Sequence, residues 1–291
     1  KIRAGLVKRV LDELAKKAGD AADEYAEFWD AFGSVLKEGI YEDFENRDRL
    51  LALARFRSTA GDGLTSLDDY VARMKPGQDA IFTLSGPEAD GLRRSPQLEG
   101  FRARGVEVLL LTDPIDEFWV PMVRTFKDKK FTSAAAAGAD LGKIEEATAS
   151  EGKEETAGDQ GPSVDRLVAM LKTVLTDKVK DVRVSGRLTE SPVCLVSGDG
   201  DMDMYLERLL RQHRRLDADM PTLRILEINP RHTLIRHMAA RAEAGAGDAD
   251  LADAAWLLLD QARILEGDPL PDPSAFARRL TAVLERGLAA A

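Results

Sequence analysis

Residues 251–288 read LADAAWLLLDQARILEGDPLPDPSAFARRLTAVLERGL, and the organisation of the chain turns on how this stretch is satisfied. The pattern predicts two helices around a turn. In the first, Leu251, Ala255, Leu258, Ala262 and Leu265 recur at helical spacing, while Trp256, Leu257 and Leu259 add apolar surface on its other sides. Gly267 stands where a left-handed helix stop belongs, and Asp272 followed by Pro273 is an N-cap leading into a first turn. Phe276, Leu280, Val283, Leu284 and Leu288 then form one stripe. Such a hairpin has two solutions. It packs wholly on its own domain, or two copies close a four-helix bundle across a two-fold axis. About six large side chains per chain at about 1.5 kcal/mol each offset an association cost of roughly 4 to 15 kcal/mol. The homodimer is therefore the expected state, with Trp256, Leu258, Leu259, Ala262, Leu265, Phe276, Leu280 and Leu284 at its interface.

Length and charge narrow the rest. A chain of 291 residues suggests two domains, each able to bury a sizeable core. The net charge of -10 argues against nucleic acid and anionic membranes, because both need a cationic face. No apolar run approaches the ~20 residues that span a bilayer. One cysteine, Cys194, excludes an internal disulfide and fits a reducing, cytoplasmic setting. The chain opens at Lys1, without methionine and already inside a helical pattern (Ile2, Leu6, Val10, Leu14), which is expected of a piece of something longer.

Over residues 1–57 the apolar spacing predicts three helices; Tyr25, Phe28, Trp29 and Phe32 recur at steps of three and four and read as core. A short helix is predicted over 66–74. Strands over 80–84 and 106–111 flank two helical segments, which makes a parallel crossover, yet Leu84-Ser85-Gly86-Pro87 offers no glycine-rich phosphate cradle. Residues 133–163, rich in alanine, glycine and acids, are expected to link two domains, with a weak helix over 141–149. Beyond them the pattern predicts a helix over 163–175, an antiparallel pair formed by 179–188 and 193–196, a helix over 201–212, a strand over 223–228, a helix over 230–241 and the hairpin.

Motifs for chemistry are absent. Residues 138–144 resemble a phosphate loop but are one residue short and end in Ile144. Asp199, Asp201 and Asp203 begin like a calcium loop, but Met204 and Leu210 occupy the glycine and glutamate positions, so a helix N-terminus favoured by its dipole is the better reading. His213, His232 and His237 lack zinc-ligand spacing. Two apolar features remain. Met202, Leu206, Leu209 and Leu210 share one helical face, which is either core or a surface for changing partners. Phe118 and Trp119 follow Asp116 and Glu117 just after a buried strand, as surface aromatics used in binding do.

Several segments bring a family to view: FWDAFGSVLKEGIYEDFENRDRLLALARFRST (28–59), SLDDYVARMKPGQDAIFTLSG (66–86), GVEVLLLTDPIDEFWV (105–120), DVRVSGRLTESPVCLV (181–196) and LEINPRH (226–232). Together with the terminal hairpin they closely resemble the heat-shock protein 90 family of molecular chaperones, bacterial HtpG type. The resemblance implies that residues 1–133 are the later part of a middle domain, 134–162 a linker, and 163–291 a C-terminal dimerisation domain. It implies that ATP and magnesium bind outside this chain, which is itself expected to hold no cofactor or metal and to have no catalytic residue. It also implies that Glu117 and Phe118, with the neighbouring Trp119, and the helix bearing Met202, Leu206, Leu209 and Leu210 hold non-native client proteins, facing a cleft between protomers. The ending after Arg286 lacks the acidic peptide that recruits helical-repeat cochaperones, so those partners are not expected.

The expected fold class is α/β and α+β: a helical segment, a small αβα subdomain, then a mixed α+β domain ending in a dimerising helical hairpin. Two rival readings are a passive dimerisation module without client affinity and an enzyme built around Ser85 and Asp113.

Overall fold

A computed structural model describes residues 2–144, 161–213, 222–245 and 248–289. Three helices open the chain, α1 (Ile2–Asp20), α2 (Ala22–Glu42) and α3 (Arg47–Leu53). Tyr25, Trp29, Gly33, Lys37 and Ile40 form the buried stripe of α2, and the Tyr25 hydroxyl donates to the Leu53 carbonyl at 2.8 Å. A hairpin absent from the sequence reading follows, β1 (Arg55–Ser58) and β2 (Gly61–Ser66). Then come α4 (Leu67–Ala72), β3 (Ala80–Ser85), α5 (Ala89–Arg93), a 3-10 turn (Pro96–Leu98), α6 (Glu99–Ala103), β4 (Leu109–Leu111) and α7 (Asp116–Val123). A second unforeseen pair, β5 (Thr125–Phe126) and β6 (Lys129–Ser133), completes a mixed sheet of order β2-β1-β4-β3-β6-β5.

The predicted crossover is present, with β3 parallel to β4 and, on its other side, to β6. Alternation along β3 divides the interior in two. Ile81 joins Leu109, Leu111, Trp119 and the opening helices on one face. Ala80, Phe82 and Leu84 join Leu98, Phe101 and Val108 on the other. Tyr70 of α4 fixes the layer, its hydroxyl donating to the Glu107 carbonyl (2.8 Å) and accepting from the Phe82 amide (2.9 Å).

The second half contains α8 (Pro162–Val174), β7 (Asp181–Val184), β8 (Val193–Val196), α9 (Met204–Gln212), β9 (Ile225–Ile228), α10 (Thr233–Glu243), α11 (Asp248–Glu266) and α12 (Pro273–Ala289). Its sheet corrects one expectation. The sequence suggested that β7 and β8 pair directly, but β9 lies between them, parallel to β7 and antiparallel to β8. All four residues of β9 are buried, which suits a central strand.

The second face of the first sheet is continuous with this half, since Phe82, Leu98 and Phe101 share one apolar cluster with Leu167, Leu171, Leu195, Leu226 and Leu258. Residues 134–137 bind both sheets: the Ala134 amide donates to the Thr83 carbonyl (2.7 Å), the Ala137 amide donates to the Ser197 carbonyl (2.7 Å) and the Ser197 amide to the Ala135 carbonyl (2.9 Å). The described start of the expected linker, 134–144, is thus packed, with Ala134, Ala135, Leu141 and Ile144 buried. Residues 141–144 form a turn, and the remainder of the weak helix expected there lies outside the described residues. A second tie is Glu99, whose buried carboxylate accepts from the amides of Thr189, Glu190 and Ser191 at 2.7–3.0 Å.

Candidate functional site

Helix α7 follows the strand β4 through Asp113-Pro114-Ile115. Lys37 of α2 lies beneath it, its ammonium donating to Asp113 (2.7 Å) and Asp116 (2.9 Å). Asp116 is fully buried and also accepts from the Trp119 indole N–H at 2.6 Å. Burial pushes the Asp116 carboxyl up, while Lys37 and the indole bond oppose that shift. Trp119 corrects the expectation of two surface aromatics. It is fully buried, edge-on to Phe131 at 5.5 Å, because a residue three positions after Asp116 falls on the same inward face of the helix. Phe118, a step of about 100° away, is 44% exposed and meets Tyr41 edge-on at 6.4 Å.

Glu117 is buried as well, beside the Ser85 hydroxyl and facing Asp203. Burial, then the Asp203 charge, pushes its carboxyl up to about 8 from 4.5. The folded state therefore holds a proton that the unfolded chain releases, so this stabilisation is complete below the unfolded value and disappears as pH rises from about 4.5 to about 8. A Glu117→Gln variant is expected to remove that slope. Melting temperatures of the two proteins should diverge with rising pH, the variant becoming the more stable; a pH-independent difference would assign the carboxyl an ordinary titration.

Asp203 links this site to the second one. It caps α9, accepting from the Tyr205 amide (2.9 Å), and also receives the Ser133 hydroxyl (3.0 Å). Helix α9 begins at Met204, not at residue 201, so Met202 precedes it as an exposed residue instead of starting its apolar face. The inward face is Met204, Tyr205 and Glu207. Glu207 pairs with Arg224 and Arg211, and Arg208 holds the Glu266 carbonyl and Asp268. Leu206, Leu209 and Leu210 are half-buried on the other sides and belong to no core cluster of the described residues. The acids upstream have structural partners: Asp201 pairs with Lys180 at 2.8 Å and accepts the Gly198 amide.

In the terminal hairpin the predicted signals are in place. Gly267 has φ of 75°, its amide donating to Ile264 O and that of Asp268 to Arg263 O, the two bonds of a Schellman stop. Asp272 caps α12 through the Ala275 amide at 2.8 Å. Leu258, Leu259 and Ala262, expected at the interface, lie in the chain's own core, because α11 turns that face toward β8 and α8. Trp256 packs against the same cluster beneath the Arg279 guanidinium, 4.9 Å from its ring centroid, and Phe276 is half-buried. Leu265, Leu280 and Leu284 are exposed, as are Ile264, Val283 and Leu288.

Among the described residues no group of three or more His, Cys, Asp or Glu is placed to hold a metal, and no helix is long and apolar enough to cross a membrane. Residues 138–144 do not fit a nucleotide phosphate: Asp140 already occupies the Gly142 amide (2.8 Å) and Lys143 reaches Asp79.

The family model described as Hsp90 protein matches residues 1–291. The chain belongs to the Hsp90 family. It is 60% identical over 290 residues to the chaperone protein HtpG of Paramagnetospirillum magneticum, covering 99% of this chain and 46% of that relative. The HtpG proteins of Rhodospirillum rubrum (51% over 293 residues) and Roseobacter denitrificans (49% over 290) match the same shares. The chain thus spans about half the length of these Hsp90 relatives. Within this Hsp90 segment, α7 and the start of α9, read separately in the sequence, lie near enough for the Asp203 charge to act on Glu117. Sequence reasoning did not find Tyr41 and Phe44, exposed aromatics near α7; their only signal was a pair of aromatics three apart among acids at the end of a helix.

Proposed function

We propose that this chain is the client-holding and dimerising part of a bacterial-type Hsp90 chaperone. Residues 1–133 act as the later part of the middle domain, 134–162 as the connection, and 163–291 as the C-terminal dimerisation domain. Clients are held by Phe118, Met202 and the outer side of α9, while Glu117 and Trp119 position α7 from beneath. ATP and magnesium serve the whole protein outside these residues, in the cytoplasm, and the exposed stripe of α12 joins two copies so that their client surfaces face one cleft at high effective concentration.

What supports client binding most is the division of α9: one side is locked by Glu207, Arg208 and Arg224, and Leu206, Leu209 and Leu210 are left outside every core cluster of the described residues. Dispersed apolar contacts of this kind suit changing partners. Leu209→Lys with Leu210→Lys is expected to lower suppression of aggregation of a denatured client by about fivefold or more, with melting temperature and molar mass unchanged. Full suppression by this folded variant would reject α9 as the holding surface. A wild-type chain that suppresses nothing would instead be a passive dimerisation module.

A further inference from the structure

Phe118 does not stand alone. Its ring meets Tyr41 at 6.4 Å, and Met122 lies one turn further along α7. The Met122 sulfur accepts from the Arg47 guanidinium at 3.5 Å, and that guanidinium lies 4.1 Å from the centroid of the Phe44 ring. One turn of α7 thus joins the Tyr41–Phe118 contact to the run from Met122, half-buried against the opening core, through Arg47 to Phe44. The turn that carries Phe44 is fixed from both sides. Asp43 accepts from the Asn46 amide (3.2 Å) and carboxamide (2.8 Å), and the Arg47 Nε–H donates to the Ile40 carbonyl (3.0 Å). Phe44 is nonetheless 69% exposed, and Tyr41 is exposed too. A rigid turn that presents a large aromatic to solvent is a binding feature more than a packing one.

Charge selects the partner. Glu38, one turn before Tyr41, and Glu42, Glu45 and Asp48 are all exposed around these aromatics. Of the cations nearby, Lys37 is buried between Asp113 and Asp116, Arg49 pairs with Asp12 and Lys127 with Asp68, while Arg47 is held by the Ile40 carbonyl, the Met122 sulfur and the Phe44 ring, leaving the exposed acids in the majority. We propose that Tyr41, Phe44, Phe118 and Met122 form one docking surface for unfolded segments in which lysine or arginine flanks aromatic or aliphatic residues. The proposal rests on the client-holding reading and adds a selectivity to it: the rings take the apolar side chains, and the acidic rim takes the flanking cations and disfavours acidic segments.

The test compares two fluorescent unfolded peptides of the same apolar sequence, one flanked by lysines and one by glutamates, in anisotropy titrations against the full-length protein at low salt. The lysine peptide is expected to bind about tenfold more tightly. Glu42→Lys with Glu45→Lys should abolish or invert that preference, while Asp165→Lys with Glu243→Lys, on α8 and α10, changes net charge equally and should leave most of it. Equal effects of the two pairs would reduce the selectivity to net charge and overturn the proposal. Tyr41→Ser with Phe44→Ser should weaken the lysine peptide about fivefold or more without shifting the melting temperature. Unchanged binding by that variant, with weakened binding by Leu209→Lys/Leu210→Lys, would sink this surface and leave the α9 reading standing. Unchanged binding by both would sink both. A changed molar mass on substituting Tyr41 and Phe44 would show that another copy covers the patch, and would also overturn it.

Discussion

Leu280→Asp with Leu284→Asp is expected to convert the proposed dimer, about twice 31.8 kDa, into folded monomers. The stripe they interrupt is exposed along most of its length: Ile264 and Leu265 at the end of α11, then Leu280, Val283, Leu284 and Leu288 on α12, with Leu284 at 56% and Leu288 at 80%. Helix α12 is also tied to α11 on its other side, through Arg279 to Asp253 and Arg286 to Asp250. In the proposed dimer a two-fold axis through the stripe sets each patch against its copy. Two substitutions per chain remove four apolar contacts, about 6 kcal/mol in all at about 1.5 each, and bring like charges together across the axis. The dissociation constant should rise by at least about three orders of magnitude. Light scattering over a concentration series, with circular dichroism as the control for folding, reads this directly. A dimer that persists in the variant would move the interface elsewhere. Leu258→Asp would not be a fair probe, since Leu258 lies in the protomer's own core and its substitution unfolds the chain.

That distinction also marks the limit of what the residues disclosed. The stop at Gly267 and the cap at Asp272 are local devices and were readable as such, whereas Ser66, where the pattern starts a helix over 66–74, stands just before α4 and caps it, its hydroxyl accepting from the Asp69 amide at 3.0 Å. The crossover of β3 and β4 was legible because both strands are short apolar runs separated by helical spacing. A helix apolar on two sides, however, does not say which side its own domain takes, and α11 gave its Leu258 and Leu259 face inward. Nor did neighbouring Phe118 and Trp119 disclose which one turns in; Asp116, held by Lys37, fixes that through its bond to the indole. The β1–β2 and β5–β6 pairs escaped because they are brief and mostly polar, their register fixed by neighbouring strands more than by their own pattern. Strand β9 lies some thirty residues beyond β8 and still separates it from β7, a rearrangement that hairpin spacing cannot foresee.

Long-range polar ties were the least legible of all, and one of them carries a large expected effect. Glu227 lies on β9 at 2% side-chain exposure. Its carboxylate accepts from Arg183 Nε (3.0 Å) and the Ser185 hydroxyl (2.7 Å), and pairs with Arg187 Nε at 3.1 Å. Arg187, itself 6% exposed, also reaches the carbonyls of Ala134 and Ala136 in the segment that binds both sheets. Glu227→Ala therefore leaves a buried guanidinium without its counter-ion, and removing one member of such a pair costs about 3–5 kcal/mol. The loss should concentrate at the joint. In urea denaturation the midpoint should fall accordingly, and in hydrogen exchange the Ala137 and Ser197 amides, whose acceptors are Ser197 O and Ala135 O, should lose protection before those of α1 and α2. Because the penalty comes from the stranded charge, Glu227→Leu with Arg187→Met should be less destabilised than the sum of the two single variants. A loss below about 1 kcal/mol in Glu227→Ala, or strict additivity in the pair, would mean that apolar packing, the backbone bonds of 134–137 and Glu99 join the sheets without this pair and that Arg187 contributes only its stem. The joint would then hold without charge pairing; with the pair intact, Glu227 and Arg187 tie β9 to the 134–136 segment that joins the two sheets.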